Sequence, residues 1–368
     1  MNFGIPKEVR PFEYRVGLTP AAVRSLVRNG HTVYFEHNAG LKAGFTDQEY
    51  ETAGGKLVYT ASEAYGRADV LVKVSRPTED EYRFFNHQQA IVSFLNLAVA
   101  SEDLLEQLAT SEITAIACET IETNDNKLTV LQALSEITGR MSPVIAGDLL
   151  GSFKGGRGIL LSGIPGIAPA SVVIIGAGVL GCNSARAFRD LGADVTLLDN
   201  DLMALRRVDR LFDAKLPTMY ANAHNIEKAV KFADVLVTTA ASAGEKAPVL
   251  ITRQMLKSMK SRAIILDFAI NSGGNVETSR PTTLADPSFV EEGIIHYCVP
   301  NVPSRVSRTS SYALSNALIP YLLQMGELGI DAAIRNNAEL KRGVNTFQGK
   351  LSHAGVAEAL KKDLEVKL

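Results

Sequence analysis

Ser171-Val-Val-Ile-Ile-Gly176-Ala-Gly178-Val-Leu-Gly181 reads as a buried strand that runs into a G-x-G-x-x-G turn and opens a helix extending to about Leu191. Each glycine has a job in such a turn. Gly176 permits the tight bend, Gly178 lets backbone approach a pyrophosphate, and Gly181 lets helix and strand pack closely. The helix start, at Val179 and Leu180, offers free N–H groups and a partial positive charge to phosphates. A second strand, Asp194 to Leu198, ends in Asp199. An acid about 20 residues beyond the first glycine suits a ribose 2′-hydroxyl and repels a 2′-phosphate. The expected cofactor is therefore NAD in preference to NADP, with Arg206 and Arg207 the nearby cations that could oppose that preference.

Around this motif the chain repeats one theme. Val172–Ile175, Asp194–Leu198, Val235–Thr238 and Ala263–Phe268 are short β-branched runs separated by helical patterns. Earlier, Asn2–Ile5, His31–Glu36, Asp69–Val74 and Ile91–Leu95 read as strands. Ala21–Arg28, Ser62–Tyr65 and Ser101–Leu108 read as helices between them. Strands alternating with helices predict parallel sheets. The fold class is therefore α/β with two doubly wound domains, one a dinucleotide-binding Rossmann domain. Lys127 to Pro143 reads as a long helix able to bridge them. After Thr309 the pattern turns helical, at Leu314–Met325, Ile330–Leu340 and His353–Leu364, with no strands expected there.

Composition narrows the function. With 368 residues, two domains are expected. A net charge of -2 argues against nucleic acid as a partner. Hydrophobic residues at 46% and charged residues at 21% fit a folded globular chain. Cys118, Cys182 and Cys298 are far apart and lack metal-ligand spacing, so neither a disulfide framework nor a metal is expected and a cytoplasmic location follows. Gly158 to Ala185 carries no charge, but its prolines and glycines break any helix, so no membrane span is expected.

The sequence resembles the alanine dehydrogenase family, which includes the NAD-binding part of proton-translocating transhydrogenase. The resemblance runs nearly end to end. It is carried by Gly4-Ile-Pro-Lys-Glu8, Glu13-Tyr-Arg-Val-Gly-Leu-Thr-Pro20, Val72-Lys73-Val74, Glu119-Thr120, Gly139-Arg-Met-Ser-Pro143, Val276-Glu-Thr-Ser-Arg-Pro-Thr-Thr283 and Gly343-Val-Asn-Thr346, among other blocks. It implies a substrate domain from residues 1–130 plus 308–368, a Rossmann domain from 131–307, and a cleft between them holding the active site. It also implies a homo-oligomer, dimer or hexamer. The substrate would be a small carboxylate-bearing amino, imino or 2-keto acid.

The family's site residues carry over one by one. Arg15 matches the arginine that holds the substrate carboxylate, a task suited to a bidentate guanidinium; a surface salt bridge is the alternative. Lys73 matches the lysine near the reacting carbon. At the end of an apolar run its pKa is expected to fall; a solvated strand end is the alternative. Ser135 matches a serine near the cofactor phosphates, with helix capping as the alternative. Val299 and Val302 bound the loop expected beside the nicotinamide, or else a Pro-bounded turn.

Two positions depart from the family. Its expected acid/base histidine is Asn96 here, in Phe94-Leu95-Asn96-Leu97-Ala98. Its aspartate near the reacting water is Asn271, in Ala269-Ile-Asn-Ser-Gly-Gly274. A carboxamide orients and donates hydrogen bonds but takes no proton. Three readings stay open. The chain is an NAD(H)-dependent oxidoreductase acting on a small amino, imino or 2-keto acid other than simply alanine, with reduction of a preformed imine as one such reaction; or a catalytically impaired NAD-binding sensor or partner protein; or an alanine dehydrogenase in which Lys73 does the acid/base work.

Overall fold

The computed structural model describes residues 1–241 and 246–368. The chain divides into two compact units. Met1–Leu134 and Pro303–Leu368 belong to the first, and residues 135–241 and Lys246–Val302 to the second.

Six strands of the first unit precede the glycine turn: β1 (Asn2–Ile5), β2 (Thr32–Glu36), β3 (Lys56–Val58), β4 (Val70–Ser75), β5 (Ala90–Phe94) and β6 (Thr114–Ala117). All their pairings are parallel. Strand alternation sorts their side chains onto two buried faces. Val70, Val72 and Val74 join Phe3, Ile5 and Phe35 on one face. Leu71, Ile91, Ala115 and Ala117 pack on the other. Burial on both faces explains runs such as Val70-Leu-Val, apolar without alternation. The helix Pro20–Arg28 starts at the Thr19 cap, with proline in its first turn, and buries Ala22, Val23 and Leu26.

The second unit contributes β7 (Ser171–Ile175), β8 (Asp194–Asp199), β9 (Thr218–Tyr220), β10 (Val235–Thr238), β11 (Ile264–Asp267), β12 (Ser288–Glu291) and β13 (Ile294–Tyr297). Their order is β12-β13-β11-β10-β7-β8-β9. Among the described residues of this sheet, only the β12–β13 pairing is antiparallel. Val172 and Ile174 face one apolar cluster, Val173 and Ile175 the other. The uncharged stretch from Gly158 resolves into loop, β7, glycine turn and the helix Val179–Asp190. No single helix among the described residues is long and apolar enough to cross a membrane.

The chain then returns to the first unit through the helix Ser307–Leu328 and two strands, β14 (Val344–Phe347) and β15 (Lys350–Leu351). These complete an eight-stranded sheet in the order β15-β14-β6-β5-β4-β1-β2-β3. Both added pairings are antiparallel. The expectation of a strandless C-terminal region is thus corrected. Val344–Phe347 is short and holds two polar residues, so it gave little strand signal; β6 supplies the edge that makes it one. The helix expected over Lys127 to Pro143 spans Thr129–Leu150 and carries Pro143 in its interior, where the sequence suggested an end. The expected single helix over Ile330–Leu340 is two, Ile330–Asn336 and Ala338–Gly343, divided at Asn337.

Candidate active site

In the first unit the candidate groups collect at the C-terminal ends of β4, β5 and β6, with Lys73 inside β4 and Asn96 and Glu119 just after β5 and β6, where parallel sheets bind ligands. The loop bearing Arg15 is laid over this edge. A side chain at Gly17 would put Cβ 2.4 Å from the Val72 carbonyl oxygen, so only glycine allows that approach. Three serines of the returning segment fasten the loop. Ser304, Ser311 and Ser315 accept hydrogen bonds from the backbone N–H groups of Tyr14, Val16 and Thr19.

Arg15 is buried and paired. Its Nε donates to Glu13 Oε1 at 2.7 Å and its Nη2 to Glu13 Oε2 at 2.6 Å. Ser75 Oγ also donates to Glu13 Oε2. Burial alone would raise the Glu13 carboxyl, but Arg15 outweighs it and holds the group below the ordinary carboxylate range. The alternative of a surface salt bridge is corrected: the pair is a salt bridge, but an internal one. Glu13 occupies the Nε/Nη2 edge of the guanidinium and leaves the Nη1/Nη2 edge for another carboxylate.

Lys73 is 1% exposed. Its Nζ donates to Glu81 Oε1 at 2.7 Å and lies 3.5 Å from Glu8 Oε2. Tyr65 OH donates to the same Glu81 oxygen. Burial would lower the lysine's pKa, but Glu8 and Glu81 outweigh burial and the net shift is upward. The expected depression is corrected. So is the solvated strand end, because Lys73 shares the buried face of Leu71. Neither glutamate was singled out from sequence. Glu8 stood in the Gly4–Glu8 block, and Glu81 sits at the third position of a capping box begun by Thr78.

Asn96 follows β5 with φ of 47°, left-handed for a non-glycine. Glu119, following β6, holds that turn. Its Oε1 accepts the Asn96 N–H at 2.6 Å and its Oε2 the Leu95 N–H at 3.2 Å. Burial pushes the Glu119 carboxyl up to about 7, against the pull of those backbone donors and of Arg76.

In the second unit the glycine turn is built as its sequence requires. Gly176 has φ of 110°, and a Cβ on Gly181 would fall 1.8 Å from the Gly176 carbonyl oxygen. The helix start at Gly178 has no side-chain cap. A Cβ on Gly178 would meet nothing within 4 Å, so the approach to Val179 and Leu180 is open, as a pyrophosphate requires. Asp199 Oδ2 accepts the Ala177 N–H at 2.6 Å and Oδ1 the Asp201 N–H at 2.8 Å, so the acid also ties the turn to β8. Arg206 reaches Met203 and Arg207 lies nearest Asp201; neither hydrogen-bonds to Asp199. These residues fit a dinucleotide without a 2′-phosphate.

The remaining candidates fall in three places. Ser135 lies inside the Thr129–Leu150 helix, which excludes an N-cap role. Val299 and Val302 are buried in the apolar cluster of the second unit, so any contact they make with a cofactor runs through backbone. Asn271 is exposed and donates from Nδ2 to the Pro300 carbonyl at 2.8 Å. Its loop is governed by Asp267, a fully buried acid not foreseen from sequence. Asp267 accepts backbone N–H groups from Ala269, Asn275 and Val276. No group of acids, histidines and cysteines suited to a metal occurs among the described residues.

Residues 4–138 match the model of the alanine dehydrogenase/PNT N-terminal domain, and residues 142–354 that of its C-terminal domain. An alanine dehydrogenase of Methanococcus maripaludis is 42% identical over 360 residues, covering 98% of this chain and 96% of the relative. A solved L-alanine dehydrogenase superposes with a TM-score of 0.93 at 38% identity, covering 98% and 99% of the two chains. A transhydrogenase from Sinorhizobium meliloti shares the fold at a TM-score of 0.82 and 24% identity. Matched along nearly its whole length by these models and relatives, the chain belongs to the alanine dehydrogenase family.

Proposed function

We propose that the protein is an NAD(H)-dependent oxidoreductase acting on a small amino, imino or 2-keto acid. The observation that carries this reading is the Arg15 guanidinium, fixed by Glu13 on one edge at the ligand-binding end of a parallel sheet. A sensor that bound only nucleotide would have no use for it, and nothing in the comparisons supports catalytic impairment. The family is NAD-dependent, and Asp199 and the open glycine turn support NAD here.

When bound, NAD takes up or returns the hydride. The protein's residues do the rest. Arg15 receives the substrate carboxylate on its Nη1/Nη2 edge. Lys73, kept protonated by two glutamates, is a fixed positive charge that stabilises negative charge developing on the substrate oxygen or nitrogen. Its burial and upward-shifted pKa argue against using it as a neutral base. Asn96, whose carboxamide makes no hydrogen bond to the described residues, is free to orient substrate. Asn271 supplies a second carboxamide able to orient the reacting group. The cytoplasm is its proposed location, in keeping with three unpaired cysteines, and a homo-oligomer its proposed assembly.

A second reading, reduction of a preformed imine, is favoured by Asn96 and Asn271, since that reaction needs no water-activating base. NADH oxidation assayed with a panel of 2-keto acids, each with ammonia and with primary amines, tests both. Turnover with pyruvate and ammonia would establish an alanine dehydrogenase. Turnover with amines alone would establish imine reduction. Tight NADH binding with no turnover would defeat the enzymatic reading.

A further inference from the structure

Glu119 lies beneath the one turn in the first unit where the family's proton-handling residue is replaced. Its two carboxylate oxygens chelate consecutive backbone amides, Leu95 and Asn96. That grip coincides with the left-handed backbone of Asn96. A left-handed asparagine is tolerated but unfavourable, and it persists where surrounding contacts over-determine it. The Asn96 side chain supplies none of those contacts, so the carboxylate below supplies them.

We propose that Glu119 is a positioning residue: its ionised carboxylate holds the Leu95–Asn96 turn so that the Asn96 carboxamide faces substrate, and protonation releases it. The inference rests on the reading of Asn96 as substrate-facing. Charge-assisted hydrogen bonds are about twice as strong as neutral ones, so a neutral carboxyl grips two amides poorly. The charged and titratable neighbours are few. Arg76, after β4, favours the ionised form. Cys118 precedes Glu119 on its own element and is held as a neutral thiol by burial and by Glu119 itself. Arg76 in turn faces Arg10, Tyr82 and Asp103, and Cys118 faces Arg15. The position reached by burial, about 7, puts the exchange within the working pH range.

The test joins two measurements on the full-length protein. Hydrogen exchange of the peptide spanning residues 94–97, corrected for intrinsic rates, is followed from pH 5.5 to 8.5 in wild type, Glu119→Gln and Glu119→Asp. Glutamine can accept one amide but sets an N–H against the other. The expected result is protection that rises through about pH 7 in wild type and is lost by roughly tenfold in Glu119→Gln at pH 8. In parallel, the KM for the keto acid found active should rise as pH falls below about 7 in wild type. That bend should vanish in Glu119→Gln while NADH affinity stays unchanged. Protection that is flat with pH in wild type, or fully kept in Glu119→Gln, would overturn the proposal, as would a KM bend that survives the substitution. Absence of turnover in wild type defeats the enzymatic reading instead, and exchange alone then decides whether Glu119 holds the turn.

Discussion

Arg15 and Glu13, two positions apart, form a two-pronged ion pair that is buried on both sides, with Nε–Oε1 at 2.7 Å and Nη2–Oε2 at 2.6 Å. The pair fixes the guanidinium plane before any substrate arrives, at the expense of one of its two binding edges. Breaking it from either side strands a buried charge, which typically costs about 3–5 kcal/mol.

Arg15→Ala is therefore expected to do two things at once. It should raise KM for the carboxylate substrate about 10–150-fold, the loss of one charge-assisted contact. It should also lower the thermal midpoint, because Glu13 is left unpaired. Arg15→Ala combined with Glu13→Gln should recover much of the midpoint and none of the KM. Recovery of both, or loss of neither, would disprove the clamp. Steady-state kinetics and thermal unfolding read the two effects separately.

Lys73 gives a stability test with a definite sign. Its folded pKa lies above the ordinary lysine value. A cation so shifted lends full stability below its unfolded pKa of about 10.4 and loses it as pH rises through the folded value. Between pH 6 and 9 the wild-type rate should thus show no inflection from Lys73. Lys73→Gln should lower the thermal midpoint throughout that range, and adding Glu81→Gln should restore part of it. A rate inflection removed by Lys73→Gln would instead make the lysine a working acid/base.

Glu119 carries the same sign in a lower pH window. A carboxyl whose folded pKa is raised to about 7 contributes stability below its unfolded value near 4.3 and loses it as pH rises through about 7. Glu119→Gln should therefore melt higher than wild type at pH 8, by an amount on the order of 1–3 kcal/mol, and the difference should shrink at pH 5. Thermal midpoints at the two pH values decide it. A gap that widens at pH 5 would mean the carboxylate is stabilised by its setting.

The dinucleotide half of this molecule was legible because its chemistry is local. Strand, glycines, helix and Asp199 occupy one continuous stretch, and each glycine answers a steric demand set within a few residues. The substrate half was legible only as isolated residues. Nothing in the run Asp69–Val74 says that Lys73 turns to the buried face, or that Glu8 and Glu81 wait there to hold its proton. Those partners come from β1's exit and from a short helix after β4, brought together by the sheet. Strand β14 escaped for a similar reason: its partner, β6, lies more than two hundred residues earlier, and β15 in turn pairs only with β14. Glu119 was visible only as part of a motif; its grip on Asn96 depends on the register of β5 against β6.

Asp199 should set cofactor choice. Its carboxylate also accepts the Ala177 and Asp201 amides, so removal to alanine would disturb the loop as well as the selectivity. Asp199→Asn keeps an acceptor for the turn and drops the charge. NADH should bind more tightly than NADPH in wild type, and Asp199→Asn should narrow that gap chiefly by improving NADPH. Dissociation constants by nucleotide fluorescence supply the comparison, and equal affinities in wild type would refute the assignment.

The final expectation concerns the two carboxamides. Water attack on an iminium gains about 10²–10⁴-fold from general acid–base help, and neither Asn96 nor Asn271 can accept a proton. L-alanine oxidation by the wild-type protein should accordingly be slow while NAD binding is intact. Asn96→His places an imidazole on the turn held by Glu119, whose carboxylate already grips that residue's own amide. Asn271→Asp replaces a donor to the Pro300 carbonyl with an acceptor, so by itself it costs a hydrogen bond and should not accelerate the reaction. Together the two changes supply a proton acceptor on each unit. The double variant should oxidise L-alanine at least about tenfold faster than wild type, with a new dependence on pH near the ordinary histidine value of about 6.5. A wild-type rate that the double variant does not exceed would show that the carboxamides are no handicap, and that proton transfer in this member of the family runs through another group.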